Sequence, residues 1–197
     1  MRQFVVVGHE APTEPSFSLD NLGGAGRLDL LCRCLNSALF VSHGIREDVR
    51  VHLVLSDTYT LSVDGETVRQ VHPDERSIAA RVREALEAAE LAIGHQPAEP
   101  APGIALYRMG LAATLERLAT SGTLVTLDPA GTPVVAANLP EAPIFVLSDH
   151  QPFAEDERAL LADRNAQAVS LGPRAIHADD AIAIAHNALD TDGFQQY

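Results

Sequence analysis

Ser170-Leu171-Gly172-Pro173-Arg174-Ala175-Ile176-His177-Ala178-Asp179-Asp180-Ala181 carries the most structural information in the chain. Residues 166–171 read as a short strand, and the Gly-Pro bend stops it. Residues 178–189 then set Ile182, Ile184, Ala185 and Leu189 in a wide helical stripe. The same alternation continues outward. Strands are predicted at 3–8, 49–56, 123–127 and 143–147, each a short apolar or alternating run. Helices are predicted at 27–41, where Leu28, Leu31, Leu35 and Leu39 share a face, and at 73–93, 110–120 and 154–163. Asp64-Gly65 predicts a hairpin between 59–63 and 66–71, and Asp128-Pro129-Ala130-Gly131 a turn after 127. Residues 11–26 and 96–103 read as loops, the second with three prolines and the one plausible seam in the chain. Strands alternating with helices predict an α/β fold: a mainly parallel sheet with flanking helices.

The composition narrows the class. The 197 residues carry 27 Asp and Glu against 14 Arg and no Lys, a net charge of −13, and 46% are apolar. That is a globular composition, long enough for a real core. No apolar run approaches the roughly 18 residues of a membrane span. Met1 to His9 turns polar after one short run, unlike a signal peptide, so a cytoplasmic location is expected. The charge argues against nucleic acid at ordinary salt. A chain without Lys and rich in Asp and Glu instead fits a salty, halophilic cytoplasm. At about 1 M salt the Debye length is about 3 Å, so net charge then says little about partners.

Several clusters are candidates for chemistry. Cys32-Arg33-Cys34 has the wrong spacing and no partner pair for zinc, and reads as two buried thiols. Ser148-Asp149-His150 cannot form a relay, because adjacent residues do not reach one another in series; it reads as a binding loop at a strand end. Gly23-Gly24-Ala25-Gly26 lacks the lysine of a phosphate loop. Arg27, Asp29 and Arg33 crowd the first turns of an otherwise apolar helix, a pattern suited to a solvated face or to an anionic, planar substrate. Pro73-Asp74-Glu75-Arg76 fits an acidic helix start. The Gly172-Pro173 bend leaves backbone N–H and C=O groups unpaired, ready to read a flat polar ligand. His177, Asp179 and Asp180 are read as helix-capping residues, with no metal expected.

Gly26-Arg27-Leu28-Asp29-Leu30-Leu31-Cys32-Arg33-Cys34, Pro73-Asp74-Glu75-Arg76, and the segment from Ser170 through His186-Asn187 together resemble the archaeal tRNA pseudouridine N1-methyltransferases of the SPOUT superfamily. The resemblance covers nearly the whole chain, with the motifs in the same order. It implies one domain over 1–197, with a C-terminal trefoil knot whose cofactor-binding region falls at about 123–190. Its activity would be methylation of N1 of pseudouridine at T-loop position 54, with S-adenosyl-L-methionine as methyl donor and tRNA and a second protomer as partners. Carried over, cofactor contacts fall at Leu127, Ser148, Leu171, Gly172, Pro173, Arg174, Ala175, Ile176 and Ala181. Ser148 stands where the family often has Gly, and Ala181 where it often has Cys.

Asp29 is the expected proton acceptor, and Arg27 or Arg33 would stabilise charge on the ring carbonyls. Arg27, Arg33 and Arg76 are the expected RNA contacts. Two other readings stay open: another SPOUT reaction (on a ribose 2′-oxygen, a ring carbon or ribosomal RNA), or a non-catalytic RNA-binding module.

Overall fold

A computed structural model describes residues 1–196. Five strands run parallel: β1 (Arg2–Gly8), β4 (Val49–Leu55), β8 (Thr123–Pro133), β9 (Pro143–Ser148) and β10 (Gln167–Ser170). Three antiparallel strands, β5 (Tyr59–Asp64), β6 (Ala98–Ala101) and β7 (Ile104–Tyr107), extend the sheet at one edge. The order is β10-β8-β9-β1-β4-β5-β7-β6. β2 (Phe40–Val41) and β3 (Gly44–Ile45) make a small separate hairpin. β1 sits inside the sheet between β9 and β4 and is buried on both faces by the helices packed on each side, which explains its unbroken apolar run.

Helices cover both faces. α1 (Leu28–Leu39), α2 (Glu75–Glu87) and α5 (Ala178–Asp190) pack on the side of Phe4 and Val6. α3 (Leu111–Leu118) and α4 (Glu155–Asp163) pack on the side of Val5 and Val7. Arg2 ties the two ends together, donating from its guanidinium to Asp190 Oδ1 at 2.7 Å. Among the described residues no helix is long and apolar enough to cross a membrane.

Four expectations are corrected. First, the hairpin turns at Ser56-Asp57, not at Asp64-Gly65. Both residues take positive φ, 45° and 48°, and Thr58 N–H donates to the Leu55 carbonyl at 3.0 Å. That is the backbone of a primed turn without the usual Asn-Gly. Residues 66–71 form no strand, because β7 already fills the other edge of β5.

Second, 96–103 is no seam. It contains β6, whose prolines are tolerated because the strand lies at the sheet edge, and a turn at Gly103 with φ +73°. Third, the helix expected at 73–93 ends at Glu87 and continues as a short 3-10 turn, Ala89–Leu91. It also starts two residues later than read, at Glu75: Asp74 is the N-cap, and its carboxylate accepts from Ser77 N–H at 2.8 Å. Fourth, the turn at 128–131 does not end its strand. Thr126 pairs with Ala168 and Thr132 with the next residue, Val169, so 127–131 loop out of β8 and the strand resumes.

Candidate functional site

That loop-out helps build a cavity. The C-terminal ends of β8, β9 and β10 open into a space of about 550 Å³, where α/β sheets place ligands. Leu127, Ser148, Leu171, Gly172, Arg174, Ala175, Ile176 and Ala181 line it; Pro173 does not. The sequence reading missed further wall residues, among them Phe153, Arg158 and Leu161 from α4 and the segment before it. The wall is mostly apolar, with polar backbone exposed at one side. Among the described residues the N–H groups of Arg174, Ala175 and Ile176 make no backbone hydrogen bond. Ser170 Oγ pins the bend instead, donating to the Gly172 carbonyl at 2.7 Å. The Ser148 hydroxyl is also committed, to the Gln151 carbonyl of its own loop.

The Arg/Asp cluster stands beside this cavity. Gly26 and Arg27 are both left-handed, at φ 58° and 59°. A Cβ on Gly26 would sit 1.6 Å from the Glu10 carbonyl oxygen, so only glycine fits there. For arginine the left-handed region is a strained choice. It turns the Arg27 side chain onto Asp29, with Nε to Oδ1 at 3.0 Å and Nη2 to Oδ2 at 3.1 Å. Arg27 also feels the charge of Asp149, a wall residue of the cavity. The Arg27 hydrogen bond, and then that of Arg33, hold the Asp29 carboxyl below its usual range, against the opposing effect of burial.

Arg33 is bound more tightly. It donates to Asp29 Oδ2 at 2.9 Å and to Asp179 Oδ2 at 3.1 Å, and lies 3.6 Å from Glu75 Oε1. These three carboxylates sit in the first turns of α1, α5 and α2. Arg33 therefore ties three helix starts together. Asp179 is not a helix cap, as read from sequence; it is the Arg33 partner, and no side chain caps α5. Arg76 lies apart from this cluster, exposed and paired with Asp20.

The cavity's outer wall is fixed by a second polar group. The Asp149 side chain is fully buried and accepts from the His9 N–H at 2.9 Å and the Gln151 N–H at 2.8 Å. His9 Nδ1 lies 2.9 Å from Asp149 Oδ1, and Nε2 lies 3.0 Å from Glu157 Oε2. Burial opposes protonation of His9, but the hydrogen bonds and charges of the two carboxylates outweigh it and raise the pKa above 6.5. This stabilisation is complete below about pH 6.5 and fades as pH rises through the raised value. Wild-type protein should therefore exceed His9→Gln in melting temperature most near about pH 6, with the gap closing as pH rises through the raised His9 value. A gap that does not vary with pH would exclude the ion pair.

The remaining motifs carry no chemistry. His150 Nδ1 is 3.6 Å from Asp149, and no relay forms from Ser148. Both cysteines are buried, and burial pushes their thiols up. Among the described residues no three His, Cys, Asp or Glu side chains are grouped as metal ligands.

Residues 1–194 match the family described as "Putative SAM-dependent RNA methyltransferase". Similar proteins include one from Haloarcula marismortui, 58% identical over the full length of both chains. Another from Haloferax volcanii is 57% identical, also over both full lengths. One from Methanocorpusculum labreanum is 40% identical over 99% of this chain and all of its own. All three are named tRNA (pseudouridine(54)-N(1))-methyltransferase. The crystal structure of Archaeoglobus fulgidus Nep1 bound to S-adenosylhomocysteine has a similar fold. Its TM-score is 0.64 at 13% identity, over 94% of this chain and 95% of that one.

Proposed function

This chain belongs to the family of SAM-dependent RNA methyltransferases, and we propose that it methylates N1 of pseudouridine 54 in tRNA. The names of full-length relatives at 40–58% identity support the substrate. The observation that carries the reading onto this chain is the cavity at the ends of β8, β9 and β10. Its apolar wall and unspent N–H groups at Arg174, Ala175 and Ile176 fit an adenine edge and a ribose. S-adenosylmethionine, when bound there, supplies an electrophilic methyl group on a sulfonium.

The other requirements fall to the residues beside the cavity. The pseudouridine must be splayed out of its loop and held with N1 facing the methyl group; alignment of that kind lowers the barrier by itself. Arg27 is the group free to turn toward a ring carbonyl, where its guanidinium stabilises the charge that grows as N1 loses its proton. Asp29 is the proposed acceptor of that proton. While both its oxygens hold guanidinium N–H groups it is a poor base. Rotation of Arg27 onto the substrate releases Oδ1 and raises its proton affinity. Arg33 serves by holding Asp29 in place from three helix starts.

We read 1–197 as one cytoplasmic domain, with the cofactor region near 123–190 threaded as a trefoil knot and two protomers forming the working enzyme. From β9 the chain crosses β8 to set β10 on its far edge, and α5 then docks on α1, a path that suits such a thread.

The direct test is incubation with methyl-labelled cofactor and two tRNA transcripts, one with pseudouridine at position 54 and one with uridine. Label is expected only in the first, released as N1-methylpseudouridine on nuclease digestion. Label in the uridine transcript, or on a ribose, would exclude the assignment.

A further inference from the structure

α3 and α4 cover only part of their side of the sheet. Beyond the cover of α3, part of β4, β5 and β7 is left uncovered on that side, while the opposite side carries the buried Val51, Leu61, Val63 and Leu106. The open part forms a concavity of about 750 Å³. Its floor is polar and rigidly wired. His52 is buried and neutral, with Nδ1 2.8 Å from Ser62 Oγ and Nε2 3.0 Å from Gln3 Oε1. Gln3 Nε2 donates to Ser121 Oγ at 2.9 Å. Burial, with Arg117 and Arg50 nearby, holds the His52 pKa down to about 3.

Arg117 arches over this floor from α3. Its guanidinium stacks on Tyr107, with the carbon 4.2 Å from the ring centre, and Nη2 donates to Ser62 Oγ at 3.2 Å. Its Nε is buried with no hydrogen-bond partner. Among the described residues it has no carboxylate partner either, in a chain with 27 of them. The neighbouring Arg50 is neutralised by Asp64 at 2.7 Å, and exposed Glu99 stands at the rim. The arginines named from sequence contrast with this: Arg27, Arg33 and Arg76 are all paired with carboxylates. A half-buried guanidinium without a carboxylate partner, stacked on an aromatic ring beside hydroxyl groups, matches the way proteins hold a nucleotide: phosphate on the cation, base or sugar on the platform.

We propose that this concavity is a second RNA contact, taking a backbone phosphate and its nucleotide from a part of tRNA outside the methylated loop. The proposal rests on the tRNA reading above. β5 is four strands from β8, about 20 Å at the usual strand spacing, too far for the target nucleotide to reach both sites. One uncompensated cation on an open platform suits a link of a long polyanion held at other points too. A free anion would need several charged donors at once.

The test measures tRNA binding by anisotropy and cofactor binding by calorimetry for wild type, Arg117→Gln and Ser121→Glu. The second variant keeps the guanidinium and places a carboxylate in the same concavity, four residues on, in the turn that follows α3. Both are expected to weaken tRNA binding about tenfold and to lower the salt slope by about one, the effect of losing a phosphate contact. Cofactor affinity should stay at the wild-type value. Unchanged tRNA affinity in either variant, or a parallel loss of cofactor binding, overturns the proposal. Heat from inorganic phosphate alone, present in wild type and absent in Arg117→Gln, would assign the site to free anions and overturn the RNA role. If wild-type protein fails to bind tRNA, the functional reading falls first and this one with it.

Discussion

Replacing Arg27 with alanine is expected to lower kcat for methyl transfer about a hundredfold or more while cofactor affinity stays within about a factor of two. Among the described residues Arg27 makes its ion pair with Asp29 alone, feels the charge of Asp149 in the cavity wall, and is held in a strained left-handed conformation. Strain of this kind persists where the surroundings enforce it, and here it aims a guanidinium. Removing a positioned donor that stabilises developing charge typically costs a factor of about 10² to 10³. Lysine at 27 should recover little, because it lacks the planar fork that holds both Asp29 oxygens. Arg33→Gln should behave differently. It unties α1, α2 and α5, so melting temperature should fall along with turnover. Turnover of Arg27→Ala within about threefold of wild type would remove Arg27 from the chemistry.

Gly172→Ala is expected to raise the Kd for S-adenosylmethionine about tenfold or more without changing the melting temperature. Gly172 lines the cavity, and a Cβ built there meets no atom within 4 Å. The fold therefore has room for the methyl group, and the only thing it can obstruct is a ligand brought against the backbone. A tenfold change corresponds to about 1.4 kcal/mol, the scale of a modest steric conflict. Gly131 makes the contrast: a Cβ there falls 2.7 Å from Val169 N, so Gly131→Ala disturbs β8 and β10 themselves. An unchanged Kd in Gly172→Ala would show that the cofactor does not approach this bend.

Local signals read well where they were self-contained. The apolar run of β1, the leucine spacing of α1 and the Gly-Pro bend at 172–173 each carry their structure within a few residues. The cavity wall was legible because its loops lie at strand ends that the sequence already marked. What escaped depended on distant partners. Asp64-Gly65 has the composition of a hairpin turn, but Gly65 serves to let the Arg46 carbonyl pass, which a Cβ would meet at 2.0 Å. Ser56-Asp57 turns because the Asp57 carboxylate accepts the Leu111 N–H at 2.7 Å. The Arg33–Asp179 and His9–Asp149 pairs span 146 and 140 positions, and no periodicity reports them. The sequence set Arg33 beside Asp29 on one helix, but Asp179 and Glu75 reach it only through the fold.

The bond from Arg2 to Asp190 has a consequence for synthesis on the ribosome. The first strand and the last turn of α5 are fixed to each other, and Arg33 finds Asp179 only when α5 has formed. β1, the central strand, also waits for β9, which is made some 140 residues later. A nascent or prematurely terminated chain thus lacks part of the cofactor wall and one of the three counter-ions that steady Arg33. Such a product is expected to lack methyl transfer, because the cofactor wall and the Arg33 tie are completed only when the last helix has formed.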